Sequence, residues 1–63
     1  MSTGWRWVDD KGVDYKSKMD AAREAVRRPE ATFEFSELSM AGIKLTDATD
    51  DVRGLARDFL IRQ

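Results

Sequence analysis

Trp5-Arg6-Trp7-Val8-Asp9-Asp10-Lys11-Gly12-Val13-Asp14-Tyr15 is the stretch that decides the fold. Trp5 and Trp7, then Val13 and Tyr15, alternate with polar neighbours on the period of two that marks a half-buried strand. Between them, Asp9-Asp10-Lys11-Gly12 suits a type I turn closed by a left-handed glycine, the usual three-residue hairpin loop. That register sets Trp7 opposite Tyr15 and Val13 opposite Asp9. One face then carries Trp5, Trp7, Val13 and Tyr15, and the other carries Arg6, Val8, Asp14 and Lys16.

Outward from this hairpin, Met1 to Gly4 is a short polar lead expected to fray. On the other side, Ser17 with Asp20 three residues later forms a variant capping box and opens a helix over residues 18–28. Met19, Ala22 and Val26 are its expected inward stripe, and Pro29 ends it. Asp20, Glu24, Arg27 and Arg28 line the expected outer side, where the Glu24–Arg28 pair contributes about 0.3 kcal/mol.

The second half repeats the plan. Thr32 to Leu38 reads as a strand with Phe33 and Phe35 on one side. Leu38 breaks the alternation, so either a bulge near Ser36-Glu37 returns it to the core face or the strand ends there. Ser39-Met40-Ala41-Gly42 forms the turn, and Ile43 and Leu45 define the expected inward face of a fourth strand. A helix opens within Thr46–Asp51, where acidic residues complement the helix dipole. Val52, Leu55, Ala56, Phe59 and Leu60 follow the amphipathic helical spacing.

Hairpin and helix thus occur twice, over residues 5–28 and 33–62. A shift of thirty residues pairs Gly12 with Gly42, Val13 with Ile43, Tyr15 with Leu45 and Asp20 with Asp50. Few positions are identical, because hairpin–helix units obey common rules whether or not they share an ancestor. The order predicts one small α+β domain over residues 1–63, ββαββα. Its sheet is mainly antiparallel and four-stranded, with both helices on one face.

At 63 residues the chain lies near the lower limit for independent folding. It has neither cysteine nor histidine, which excludes a disulfide framework and the usual zinc and iron–sulfur ligands. Stability must come from an apolar core or from a partner. The expected core draws on Trp5, Trp7, Val13, Tyr15, Met19, Ala22, Val26, Phe33 and Phe35 from the first four elements. Ile43, Leu45, Val52, Leu55, Ala56, Phe59 and Leu60 complete it.

Eleven basic and twelve acidic residues nearly cancel, so no overall field selects nucleic acid or anionic membrane. Their placement is dipolar. Lys16 to Arg28 carries five positive and two negative residues, whereas Glu30 to Asp51 carries six negative ones and a single positive one, Lys44. No apolar run reaches the ~20 residues of a membrane span, and the N-terminus lacks signal-peptide character. A soluble, cytoplasmic protein with no membrane partner is the expectation.

Asp47, Asp50 and Asp51 are carboxylates of the kind that bind Mg²⁺ or Ca²⁺, but their spacing is not that of an EF-hand loop. A helix start is where acidic caps belong, and turn chemistry explains Asp9, Asp10 and Asp14 equally well. No metal site and no cofactor are therefore expected. The chain also lacks a histidine base, a cysteine nucleophile and a glycine-rich phosphate loop, so no enzymatic activity is expected either.

Binding surfaces remain. On a helical projection, Gly54, Arg57 and Ile61 fall opposite the Val52/Leu55/Phe59 stripe. An exposed mid-helix glycine costs about 1 kcal/mol against alanine, and with an apolar neighbour it suggests close approach of another chain. The leading expectation is a non-enzymatic protein-interaction module: a regulator, adaptor or inhibitor, of a kind common among phage and mobile-element proteins, binding through Gly54, Arg57 and Ile61. The alternative is a nucleic-acid-binding module using Arg6, Lys16, Lys18, Arg23 and Arg27, with Trp5 and Trp7 as a stacking platform. Against the platform stands the need of so small a domain for its aromatics inside. Homodimerisation through the last helix or an edge strand is the third reading.

Gly4-Trp5-Arg6-Trp7, Gly12, Tyr15-Lys16-Ser17-Lys18 and Ala21-Ala22 together resemble the small YegP-like domains, which are built from repeated strand–strand–helix units. The same residues are similar to the arm-binding N-terminal domain of tyrosine recombinases, whose small sheet contacts DNA. That second resemblance implies a third strand before the helix and a more basic sheet, both of which this sequence lacks. No functional residue is carried over from either family.

Overall fold

The first hairpin forms as its turn chemistry requires. In the computed structural model, which describes residues 4–61, β1 (Gly4–Asp9) and β2 (Asp14–Tyr15) pair antiparallel with Trp7 opposite Tyr15. The Gly12 N–H donates to the Asp9 carbonyl at 3.0 Å, and the Asp9 N–H donates to the Val13 carbonyl at 3.1 Å. Gly12 takes φ +81°, the left-handed conformation that closes a type I turn and that a side chain would oppose. Met1 to Thr3 of the polar lead and Arg62 at the end of the second unit lie outside the described residues, and Gly4 already belongs to β1.

Ser17 caps the first helix, α1 (Lys18–Arg27), its hydroxyl accepting from the Asp20 N–H at 3.1 Å. After Pro29 the chain enters β3 (Phe33–Ser39), turns through Met40 and Ala41, and returns as β4 (Gly42–Asp47). The second helix, α2 (Thr49–Ile61), completes the ββαββα order. All pairings are antiparallel and the sheet order is β2-β1-β3-β4, so the first strands of the two hairpin–helix units lie side by side at its centre. Both helices pack on the face that carries Trp7, Tyr15, Phe33 and Phe35.

The core differs from the expected one in three ways. First, α1 buries Ala21, Ala22 and Ala25, while Met19 and Val26 are exposed. The helix is rotated so that Arg28, expected on its outer side, reaches the β1–β2 turn while bonded to a largely buried Glu24. Alanines then form the contact, which lets the helix approach closely. Second, Ile43 and Leu45 point away from the helices. The two-residue loop pairs Leu38 with Ile43 and Ser36 with Leu45, which puts them on the face opposite Phe33 and Phe35. Third, no bulge rescues Leu38: the β1–β3 and β3–β4 registers run through it unbroken, and β3 continues to Ser39.

Trp5, Val13 and Leu60 are likewise exposed rather than buried. What remains is a thin core of Ala21, Ala22, Ala25, Ala31, Phe33, Ala48, Val52 and Ala56. Trp7, Tyr15, Phe35, Leu55 and Phe59 pack around it, half-buried. The molecule is elongated, 40 × 20 × 16 Å, because the helices cover only one end of the sheet.

Candidate interaction surface

The covered end is organised by one carboxylate. Asp9 closes β1 and is buried; its Oδ1 accepts the N–H groups of Lys11 and Val13, each at 2.9 Å. Its Oδ2 accepts the Tyr15 hydroxyl at 2.9 Å and Arg28 Nη2 at 3.2 Å. Arg28 also reaches Asp10 Oδ1 at 3.1 Å and, through Nε, Glu24 Oε2 at 2.6 Å. The guanidinium thus ties the C-terminal end of α1 to the first turn with charge-assisted bonds.

Burial raises the Asp9 carboxyl, but the Val13 N–H, the Tyr15 hydroxyl, the Lys11 N–H and Arg28 together hold it below the ordinary aspartate value. The same burial, with Asp9 beside it, pushes the Tyr15 phenol up to about 12. Asp10 is lowered chiefly by its bond to Arg28, and Arg28 is raised chiefly by Asp10 and then Glu24.

Asp10, Glu34 and Asp47 rim an open depression beside this network, floored by Phe33. Two of these charges are used locally. Asp10 is paired with Arg28, and Asp47 Oδ1 accepts the Thr49 N–H at 3.0 Å, which lowers its carboxyl. Asp51 pairs with Lys18 at 2.8 Å, binding the start of α2 to the start of α1. Capping and pairing therefore account for Asp47 and Asp51, two of the three carboxylates at the α2 start.

The other end of the sheet has no helix over it. β1, β3 and β4 run on together as an arm in which Gly4, Leu38 and Ile43 form one row and Arg6, Ser36 and Leu45 the next, both on the face turned away from the helices. Leu38 is 48% exposed, Ile43 69% and Leu45 59%. On the opposite face Trp5, 57% exposed, stands in a row with Glu37 and Lys44. Met40 at the tip is fully solvent-exposed. All six residues of β4 are exposed, and among the described residues no strand lies along its outer edge. An open edge strand carrying large apolar side chains leaves backbone groups and apolar surface that another chain can cover.

The residues singled out in the sequence are distributed unevenly. Gly54, Arg57 and Ile61 do share the outer side of α2 and are all exposed. Nothing lies within 4 Å of where a Gly54 Cβ would sit, so no neighbour in the chain requires a glycine there. Arg57 borders a shallow groove with Val26, Pro29, Arg53, Ala56 and Leu60 between the two helices.

The nucleic-acid set is split. Trp7 meets Phe35 in a tilted contact with ring centroids 5.0 Å apart and packs on the core, while Trp5 stands out on the arm, so the two tryptophans form no common platform. Arg6 pairs with Asp14 at 2.9 Å, Arg23 with Asp20 at 3.5 Å, Arg27 with Glu24 at 3.1 Å, and Lys18 with Asp51. Only Arg6 and Lys16 lie near Trp5, around an open depression that also takes in Asp14 and Leu38.

Sequence reasoning did not single out the arm. The signal was present: Leu38 out of phase, followed by a short loop that fixes the parity of Ile43 and Leu45. No helix among the described residues is long and apolar enough to cross a membrane. A comparison of the chain with protein-family models, curated proteins and solved structures finds no match to any of them, so the uncovered arm itself is the best guide to function.

Proposed function

We propose that this chain is a non-enzymatic protein-interaction module, a small regulator, adaptor or inhibitor that acts by presenting its sheet arm to another polypeptide in the cytoplasm. The observation that carries the reading is the arm itself: Leu38, Ile43 and Leu45 on one uncovered face, beside the open edge of β4. An exposed edge offers backbone hydrogen bonds, and alternate side chains offer specificity, which together are the elements of recognition by strand addition. The α2 face of Gly54, Arg57 and Ile61 is a second surface open to contact.

The test is affinity capture with the tagged protein, with and without nuclease, using wild type, Ile43→Glu, and the double variant Gly54→Arg/Ile61→Glu. The expected result is a stoichiometric protein that survives nuclease and is lost with Ile43→Glu. Loss only with the α2 variant would move the contact to Gly54, Arg57 and Ile61. Bound material that disappears with nuclease would overturn the reading in favour of nucleic acid, held around Trp5, Arg6 and Lys16.

A further inference from the structure

We infer that the partner of the β4 edge is a second copy of this chain, paired antiparallel along Gly42–Asp47 about a two-fold axis at Leu45, which joins two four-stranded sheets into one; this rests on reading the arm as a protein-binding surface.

The backbone supplies the first reason. Met40 and Ala41 form a two-residue loop, so Ser39 and Gly42 are the closing pair of the hairpin. The closing pair of such a loop exchanges hydrogen bonds, and bonded pairs then alternate along the ladder. Gly42, Lys44 and Thr46 accordingly bond inward to β3. The N–H and C=O groups of Ile43, Leu45 and Asp47 point outward, an unused set of donors and acceptors.

Symmetry and charge supply the second. A two-fold axis perpendicular to the sheet keeps each face on its own side, so opposed residues must belong to the same face. Centring on Leu45 satisfies this and uses every outward group. Leu45 meets Leu45 of the second copy, Ile43 meets Asp47, and Lys44 meets Thr46. The neighbouring register, centred on Lys44, would set two ammonium groups directly opposite each other, which is unfavourable. In the Leu45 register Lys44 faces Thr46 of the other copy instead, so no like charges stand opposite each other.

The thin core supplies the third. Among the described residues only Phe33 and Val52 are large side chains buried completely, and the rest of the buried apolar core is alanine. A chain of this size has little stability to spare, and a second copy is a partner present wherever the chain is made. Six residues of edge make a small interface, at or below the ~1,200 Å² of specific complexes, so association in roughly the micromolar to hundred-micromolar range is expected.

Sedimentation from about 5 µM to about 1 mM tests the pairing. Wild type should pass from one chain mass to two, while Leu45→Lys stays a monomer with an unchanged circular dichroism spectrum. Because the chain has no cysteine, Leu45→Cys provides a check that leaves the edge uncharged. Opposed Cα atoms ~5.5 Å apart lie within disulfide reach, so oxidation should convert it to a covalent dimer. Ile61→Cys should remain reduced under the same conditions. A wild-type monomer throughout, or a dimer untouched by Leu45→Lys, would overturn the self-pairing. If that monomer still captures a different protein, and Ile43→Glu abolishes the capture, the interaction reading stands and only the second copy is lost.

Discussion

The two ends of this sheet are made of similar residues and meet opposite fates. At one end Asp9, Phe33 and Tyr15 lie under the helices, and among the described residues no buried side-chain nitrogen or oxygen lacks a hydrogen-bond partner: Asp9 takes four hydrogen bonds, and the Thr49 hydroxyl accepts the Phe33 N–H at 2.9 Å. At the other end Trp5, Leu38, Ile43 and Leu45 are as apolar as any core residue and remain in water. The difference teaches that position relative to the helices, and not hydrophobicity, decides what is core. Covered residues hold the fold, and uncovered ones are free to bind.

If that division is right, substitutions at the covered end should dominate stability. Phe33→Ala should be the most damaging, at about 3–4 kcal/mol, because it empties the largest fully buried side chain of a thin core. Urea denaturation would read it as a large drop in midpoint or as outright unfolding. A near-neutral result would mean that the core lies elsewhere.

Asp9→Asn should follow, at about 2 kcal/mol, since it removes the charge that Arg28, Tyr15 and two backbone N–H groups converge on. It should also change the acid limb. The Asp9 pKa is depressed in the folded state, so its stabilisation is fully present above the unfolded value of about 4 and is lost as pH falls through the folded one. Wild type should therefore lose stability more steeply with acid than Asp9→Asn does.

Tyr15 should reveal the same network from the alkaline side. Its pKa is raised to about 12, so its contribution holds below the unfolded value near ~10 and disappears as pH climbs between the two. Thermal melts across that window should show a decline that Tyr15→Phe reduces.

The smallest effect belongs to the arm. At dilute, monomeric concentration Leu45→Ser should stay within about 0.5 kcal/mol of wild type, because the side chain is already more than half exposed. A larger loss in the monomer would break the comparison by showing that the arm helps to hold the fold.

Much of the fold was legible because it rests on local rules. The Asp9–Gly12 turn, its three-residue loop, the Trp7–Tyr15 register and the Ser17 cap all depend on neighbours in sequence, and each appears in the structure as expected. The acidic α2 start is likewise a local matter, visible in the Asp47 bond to the Thr49 N–H. Arg28 was not legible in the same way. Its i,i+4 spacing to Glu24 indicated a weak surface pair, yet it is linked to Asp9 and Asp10, which are nearly twenty residues away in the chain.

The arm shows the same boundary. By itself the sequence determined the element order, the turns, the caps and the two-residue loop that assigns Ile43 and Leu45 to one face of β4. Those follow from backbone conformations and hydrogen bonds spanning a few residues. Only the tertiary structure decided which face the helices would cover and how far along the sheet they would reach, because that depends on long-range packing. The rotation of α1 onto its alanines and the anchoring of Arg28 by Asp9 set the helices over one end alone. Trp5 thereby became surface rather than core, and Leu38, Ile43 and Leu45 lie on the face the helices leave bare.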